Sequence, residues 1–295
     1  MSHTANRINA YALRFNAAKY LEIGVREGKT FFPVKLPLKI AVDPNFLFDP
    51  GKDTHDGVLY FPITSDEFFA VFPEHLHASL YLEPDGHIAF DIIYIDGQHT
   101  FEQSLRDFEN SRKFCHSNTL WIMDDTVPSD VFSTIPDQKI ALECRKLAGG
   151  TGGAWHGDVF KTLFAIHDHH PDISYCTIMG QGNPQTLLWQ APPHSERKPH
   201  FDSSREIAKL SYLAVLDNAD LFFPVNDELA SALIGKSLAP VLYACDDTWK
   251  KMLYSKIISA GEVNLKNKVK ELENKIAELE HRVAHSVVMP KEMER

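Results

Sequence analysis

The stretch AFDIIYIDGQHTFEQSLRDF, residues 89–108, places a buried strand directly before an amphipathic helix. Its first half is a run of β-branched and aromatic residues that ends in an Asp-Gly pair. Its second half has apolar residues at Phe101, Leu105 and Phe108, which share one helix face. A strand followed at once by a helix is typical of a parallel sheet with helices on its faces.

The same alternation extends in both directions from this stretch. Further strand-like runs lie at residues 19–24, 38–43, 57–63 and 119–125, and the runs at 159–168, 174–180 and 185–190 follow with less helix between them. Short turns between the last runs favour an antiparallel edge. We therefore predict an α/β fold for residues 1–190, with a doubly wound, mostly parallel, seven-stranded Rossmann-like sheet and an antiparallel edge.

The rest of the chain has a different pattern. Residues 191–206 are polar and proline-rich and predict a linker, and residues 207–260 have helical spacing. Between 261 and 288, apolar residues recur in alternating steps of four and three, with Val or Ile at a positions and Leu at d positions. This pattern predicts a parallel coiled coil and hence a homodimer. A trimer, or a helix packed on its own domain, stays open.

Composition excludes several classes of protein. The chain has 295 residues, with 40 acidic against 30 basic side chains and a formal charge of -10, which argues against nucleic-acid and anionic-membrane binding. No apolar run reaches the roughly 18 residues that a membrane span needs. Four separated cysteines without CxxC spacing disfavour a zinc or dithiol motif and fit a reducing compartment. We therefore expect a cytoplasmic protein.

A glycine-containing stretch, EIGVREGKT at residues 22–30, follows the first strand. Glycines there allow a tight turn and a close approach of backbone to a ligand. Asp43 ends the second strand, roughly 20 residues after the glycine stretch. An acidic residue at this spacing can accept hydrogen bonds from ribose hydroxyls. An ordinary glycine turn and a turn aspartate before Pro44 are the alternatives; together the two features indicate nucleoside binding.

Acidic residues follow two other strands. Asp96 precedes His99 after the fourth strand, and Asp124 and Asp125 end the fifth. If the strands are neighbours, three carboxylates share one crevice, where they repel unless a hard cation such as Mg²⁺, Ca²⁺ or Mn²⁺ joins them. His99 has the intrinsic pKa of a general base near neutral pH. The alternative is a plain Asp-Gly turn together with capping aspartates.

Two further segments are weaker candidates. Residues 155–161 follow the glycine-rich run 149–153 and predict either a loop that covers a site or aromatic packing at the start of a strand. Residues 167–170, His-Asp-His-His, look like metal ligands, but their position before Pro171 favours a solvated turn.

Five motifs carry a family resemblance, and in chain order they are YLEIGVREGKTF, AVDPN, ITSDEFF, FDIIYIDGQHTFEQSLRDF and LWIMDDTVPSD. Over about residues 15–190 the sequence resembles a class I S-adenosylmethionine-dependent methyltransferase. The D-G-x-H motif followed by D-D is similar to the metal-dependent O-methyltransferase branch, which includes macrocin O-methyltransferases, cephalosporin-hydroxylase-like sequences and, more distantly, catechol O-methyltransferases.

The resemblance implies S-adenosylmethionine as cofactor and Mg²⁺ or another divalent cation as metal. The implied cofactor-binding residues are Glu22, Gly24, Gly28, Thr30, Asp43, Ser65, Asp66 and Asp96. Asp96, Asp124 and Asp125 would hold the metal, and His99 would be the catalytic base. In the macrocin-type pattern the first residue of the acidic pair is often Glu, so the shorter Asp124 leaves the metal distance open.

The expected activity is methyl transfer to a hydroxyl of a sugar, in a surface polysaccharide or a glycosylated natural product. The acceptor would be a small molecule or an oligosaccharide with vicinal hydroxyls, an arrangement that a catechol shares. A catalytically altered scaffold and a hydroxylase-like relative are the alternatives. Three carboxylates without a two-histidine pattern disfavour an Fe(II) oxygenase.

Overall fold

The computed structural model describes residues 2–52, 55–75, 88–180, 182–191 and 197–235, and five helical positions between 270 and 277. The strands are β1 (Lys19–Ile23), β2 (Leu38–Val42), β3 (Val58–Phe61), β4 (Phe90–Ile95), β5 (Cys115–Met123), β6 (Ile173–Ile178), β7 (Gln185–Gln190) and β8 (Pro224–Val225). The α-helices are α1 (His3–Phe15), α2 (Ser65–His75), α3 (Phe101–Ser111), α4 (Gln138–Leu147), α5 (Phe160–His169), α6 (Ser204–Ile207), α7 (Tyr212–Asp217) and α8 (Asp227–Gly235).

The strands form one sheet in the order β3-β2-β1-β4-β5-β7-β6-β8. The first five pair in parallel, whereas β7 is antiparallel to both β5 and β6. The predicted α/β class, parallel body and antiparallel edge are thus confirmed. The sheet has eight strands rather than seven, because Pro224–Val225 pairs with β6 and is too short to give a sequence pattern.

The apolar run at 159–168 was predicted as a strand, and this is wrong, because it forms helix α5. Seven consecutive residues of α5, from Phe160 to Ile166, are buried. A helix enclosed on all sides loses the polar face that makes helical periodicity visible, so a continuous apolar run does not distinguish it from a buried strand. α5 packs against α3 and α6.

Apolar clusters cover both faces of the sheet. One contains buried side chains of α2, α3 and α5, and the other contains those of α1 and α8. Neighbouring residues of β5 alternate between them: Trp121 lies in the first cluster and Ile122 in the second. This alternation is the two-residue period of a strand buried on both faces.

The chain beyond the predicted linker also contributes to this core. Ile207, Tyr212, Val215 and Phe222 are buried in the same cluster as α5. Among the residues that the structure describes, no helix is long and apolar enough to cross a membrane. The predicted coiled coil at 261–288 lies outside the described residues, apart from the five helical positions, so the dimer stays a prediction.

The strand ends place the acidic residues at one edge. The Asp96 N–H donates to the carbonyl oxygen of Ile23 at 2.9 Å, and the Asp124 N–H donates to that of Ile95 at 3.1 Å. These bonds continue the β1–β4 and β4–β5 ladders by one residue. Asp96 and Asp124 therefore leave the sheet at its carboxyl edge, next to the end of β1.

Candidate active site

A cleft of about 920 Å³ opens at the carboxyl ends of β1, β2 and β4. The strand order reverses at β1 and β4, and open α/β sheets bind ligands at this point, in pockets of roughly 300–1,000 Å³. The predicted residues that line it are Glu22, Gly24, Thr30, Asp43, Ser65, Asp66, Asp96 and His99. Gly28 lies in the same turn but does not line the cleft.

Gly24 is required by the sheet itself. Its φ is +87°, and a Cβ built there would lie 1.9 Å from the carbonyl oxygen of Asp96. The sequence pattern indicates a glycine that lets a ligand approach the backbone, and the structure adds a second reason, the close approach of the β1 end to the β4 end. Gly28 has a φ of +73°, and a Cβ there would lie 2.2 Å from the Phe32 ring.

Glu22 forms a buried acidic group beneath the cleft. The Tyr20 hydroxyl donates to its Oε2 at 2.5 Å. Burial raises the pKa of Glu22 to about 8, and the nearby Asp96 charge acts in the same direction. A positively charged neighbour would therefore favour its ionised form.

Asp43 organises the loop after β1. Its Oδ2 accepts from the Arg26 N–H at 2.7 Å, and its Oδ1 accepts from the Asn45 N–H at 2.7 Å. A carboxylate oxygen can accept more than one hydrogen bond. Asp43 can thus hold the loop and still accept bonds from ribose hydroxyls.

Ser65 and Asp66 begin α2 at the far wall of the cleft, where α3 fixes them. Gln103 donates from Nε2 to Ser65 Oγ at 3.1 Å, and Arg106 donates from Nε to Asp66 Oδ1 at 2.8 Å. Gln103 also donates to Asp107, a buried side chain whose pKa burial raises to about 6. Polar groups therefore line this end of the cleft.

Asp96, His99 and Asp125 converge beside the cleft. His99 Nε2 lies 3.0 Å from Asp125 Oδ2 and 3.5 Å from Asp96 Oδ1. One ligand atom from each residue lies within 4.8 Å of the others. Asp125 has a φ of +60°, which costs a non-glycine residue about 1–3 kcal/mol, and such strain concentrates at functional sites.

The charges of this cluster perturb one another. Burial raises the pKa of Asp96 to about 7, and the charges of Asp124 and Asp125 add to that effect. Burial lowers the pKa of His99, but the hydrogen bond to Asp96 and the charge of Asp125 outweigh it and raise that pKa to about 9. The cluster thus holds a positive charge between its carboxylates.

Asp124 is held by four donors, two of which also reach the cluster: the Tyr94 hydroxyl donates to Asp96 as well, and Asn183 Nδ2 to Asp125. Asp124 Oδ2 accepts from the Tyr94 hydroxyl at 2.5 Å and from Gln185 Nε2 at 3.1 Å. Its Oδ1 accepts from Asn183 Nδ2 at 2.6 Å and from the Asp125 N–H at 2.9 Å. The structure therefore brings Asp96 and Asp125 together with His99 but holds Asp124 with four donors behind them.

The loop after α4 supplies residues that the sequence argument did not assign to the site. The Trp155 ring stacks on His99, with centroids 4.4 Å apart and 17° between the planes. His156 Nδ1 lies 2.7 Å from Asp125 Oδ1. A Cβ at Gly157, which has a φ of +58°, would lie 1.6 Å from the His99 carbonyl oxygen. The glycine-rich run before Trp155 was the available signal for a loop at the site, but nothing in the sequence assigned His156 to Asp125.

Fold and cleft together define an open α/β domain with a ligand-sized cleft where the strand order reverses. Residues 21–126 match a family model described as "Methyltransferase domain". Residues 21–126 therefore form a methyltransferase domain, and the predicted methyltransferase class is confirmed for that segment. A comparison with curated proteins gives no match.

Several solved structures are similar to this chain. An O-methyltransferase from Bacillus cereus in complex with SAH is 14% identical over 65% of this chain and 82% of its own, with a TM-score of 0.43. TomG, an O-methyltransferase from Streptomyces achromogenes involved in tomaymycin synthesis, is 13% identical over 65% and 81%, with a TM-score of 0.42. The MycE methyltransferase of mycinamycin biosynthesis, in complex with Mg, SAH and mycinamycin VI, is 17% identical over 68% and 51%, with a TM-score of 0.38. These similarities are too low to carry an argument about acceptor or metal.

Proposed function

We propose that the chain is a magnesium-dependent O-methyltransferase that transfers a methyl group from S-adenosylmethionine to a hydroxyl of a sugar, in a surface polysaccharide or a glycosylated natural product. The observation that carries this proposal is the convergence of Asp96, His99 and Asp125 beside the cleft. Two carboxylates and an imidazole there face the space in which an acceptor hydroxyl would meet the cofactor.

The cleft fits the cofactor. Asp43 offers carboxylate oxygens where a ribose would lie, and Ser65 and Asp66 offer polar groups at the far wall. Glu22 and Asp96 have raised pKa values because they are buried near other acids, so a sulfonium cation nearby would favour their charged forms. When bound, S-adenosylmethionine supplies an electrophilic methyl group.

The acidic edge fits a divalent cation. Asp96 and Asp125 supply hard oxygen donors, which favour Mg²⁺, Ca²⁺ or Mn²⁺. The third predicted ligand, Asp124, would have to give up a bond from Tyr94, Gln185 or Asn183 to reach a metal. When bound, the cation supplies a Lewis acid that lowers the pKa of an acceptor hydroxyl.

His99 takes the hydroxyl proton in this proposal. It would do so as a neutral imidazole, once a cation bound by Asp96 and Asp125 has balanced the carboxylates that otherwise keep the ring protonated. Its Nε2 faces Asp96 and Asp125, which stabilise the imidazolium that forms. Trp155 covers one face of the ring and so fixes its orientation. Because the same nitrogen lies among the acidic side chains, a role for His99 as a metal ligand is the specific competing assignment.

Vicinal hydroxyls are the acceptor chemistry that fits this site, because they can present one oxygen for transfer and a neighbouring one to the same cation. The net charge of -10 favours neutral acceptors over anionic ones. A catalytically altered scaffold would have no need of the strained Asp125. A hydroxylase-like relative is disfavoured because the cluster has one imidazole and two carboxylates, the reverse of the Fe(II) oxygenase triad.

Calorimetry and a transfer assay test the proposal. Purified protein is titrated with S-adenosylhomocysteine with and without Mg²⁺, and methyl transfer is then measured over a panel of sugar acceptors with and without EDTA. Asp125→Asn should lose the response to Mg²⁺ and keep cofactor binding, whereas Asp49→Asn, at an exposed turn, should behave as the parent. Full activity in EDTA would remove the metal from the proposal, and absence of cofactor binding would favour the scaffold.

A further inference from the structure

A second group of metal-ligand side chains lies at the edge of the sheet opposite the cleft. β6 runs in the same direction as β5, since both are antiparallel to β7, so β6 begins at that opposite edge. α5 ends at His169, shortly before β6 begins at Ile173. The last turn of α5 therefore lies at the opposite end of the strands from the active site.

Two histidines converge here on one aspartate. His167 Nδ1 lies 2.6 Å from Asp168 Oδ1, and His200 Nδ1 lies 3.6 Å from the same oxygen. The two imidazole centroids are 5.0 Å apart. One ligand atom from each of the three residues lies within 4.8 Å of the others.

The backbone fixes the orientation of the aspartate. Asp168 Oδ2 accepts from the N–H groups of His200 and Phe201 at 3.0 and 2.9 Å. Oδ1 is therefore left to face both imidazoles. The Asp168 side chain is fully buried, whereas His200 is 39% exposed, so the group is open to solvent on the His200 side.

We propose that His167, Asp168 and His200 form a second metal site, for a transition-metal ion of the zinc class. Two imidazoles and one carboxylate favour Zn²⁺, Co²⁺ or Ni²⁺ over Mg²⁺. Zinc binds such ligands at about 2.0–2.1 Å, which places tetrahedral ligand atoms about 3.3 Å apart. The 3.6 Å separation is close to that value, and the 2.6 Å hydrogen bond would lengthen by about 0.7 Å as the ion replaces its proton.

The charge of Asp168 supports this reading. A buried carboxylate is unfavourable without a cationic partner, and within the described residues its ion-pair partners are the two histidines. Arg197 compensates part of the charge at longer range, but its N–H groups point to the carbonyl oxygens of Ile166 and Ile173. A divalent ion would balance the carboxylate directly.

The ion would fasten one segment of the chain to another. His200 lies in the segment that leads into α6, α7 and the edge strand β8, whereas His167 and Asp168 belong to α5. Because a metal binds the folded form and brings its ligands together, it stabilises whatever segments those ligands connect. The site is thus structural, and it does not depend on the proposed acceptor or catalytic metal.

The test uses the full chain with Asp96→Asn and Asp125→Asn, which removes the acidic cluster of the active site as a competitor. Zn²⁺ is titrated calorimetrically, and bound metal is counted by elemental analysis after dialysis. We expect a single bound equivalent, and a thermal midpoint that rises with Zn²⁺. His200→Gln in this background should lose both, and His169→Gln, an exposed neighbour on the same helix, should retain both.

Cobalt supplies a readout that needs no further substitution. Co²⁺ in the same background should give the visible absorption of a tetrahedral nitrogen and oxygen site, and Zn²⁺ should displace it. No bound equivalent, or binding that His200→Gln and His169→Gln retain equally, would overturn the proposal. Featureless Co²⁺ absorption would overturn it even if His200→Gln failed to fold.

Discussion

Replacing Gly24 with alanine should destabilise the fold by more than the backbone conformation alone requires. Gly24 has a φ of +87°, and a Cβ there would lie 1.9 Å from the Asp96 carbonyl oxygen. Gly149 supplies a matched control, because its φ is +80° and no atom lies within 4 Å of the position of its Cβ. The two variants share the conformational penalty and differ in the steric one.

The magnitude follows from these two contributions. A side chain at positive φ costs about 1–2 kcal/mol, which is the expected effect of Gly149→Ala. Overpacking adds about 1–3 kcal/mol, so Gly24→Ala should lose about 2–5 kcal/mol of unfolding free energy. At roughly 2–4 °C per kcal/mol, the midpoint of Gly24→Ala should fall by about 4–20 °C. Because the Cβ would displace Asp96, the affinity of the Gly24→Ala variant for S-adenosylhomocysteine should also fall.

Urea unfolding at a fixed protein concentration measures the free energies, and calorimetry on the folded fraction measures cofactor affinity. The informative quantity is the difference between the two alanine variants rather than either value alone. Equal losses in Gly24→Ala and Gly149→Ala would refute the claim that the β4 end excludes a side chain at Gly24.

Three further predictions concern the proposed chemistry and assembly. His99→Gln should reduce turnover roughly 10²–10⁴-fold with Mg²⁺ affinity unchanged; a parallel loss of Mg²⁺ binding in calorimetry would make His99 a ligand instead of the base. His156→Phe removes one of the two partners of Asp125 Oδ1, the other being Asn183, and should weaken Mg²⁺ binding about 10–100-fold with cofactor affinity kept, whereas an unchanged Mg²⁺ affinity would show that this contact does not orient Asp125. Truncation at about residue 262 should convert a dimer into a smaller species in light scattering, and a full chain that is monomeric at micromolar concentration would contradict the parallel coiled coil.

The sequence was sufficient to place the acidic edge, because that edge follows from strand direction. Asp96 and Asp125 are far apart in the chain, but each follows a predicted strand, and neighbouring parallel strands end at the same edge. The same logic placed Asp43 at the end of β2. None of these placements needed side-chain detail, only the alternation of strand and helix.

The sequence does not show in the same way which of Asp124 and Asp125 faces His99. Adjacent residues leave a strand in different directions, and Asp125 also has a left-handed conformation with a φ of +60° that no residue pattern announces. The Asp124 carboxylate accepts hydrogen bonds from Tyr94, Gln185 and Asn183, and the last two lie about sixty residues away in the chain. A contact of that kind depends on the sheet order, which places antiparallel β7 directly beside β5.

The loop at residues 155–157 contacts both the proposed base and a proposed metal ligand. Trp155 stacks on the imidazole of the proposed base, and His156 contacts the carboxylate of a proposed metal ligand. Gly157 brings the loop backbone against the His99 carbonyl oxygen so closely that a Cβ there would lie 1.6 Å away. The consecutive residues 155–157 therefore contact the His99 ring, the Asp125 carboxylate and the His99 backbone. A displacement of this loop would disturb proton transfer and metal binding together. A Cβ at Gly152 or Gly153 would meet no atom within 4 Å, and Gly153 lines the cleft together with Trp155.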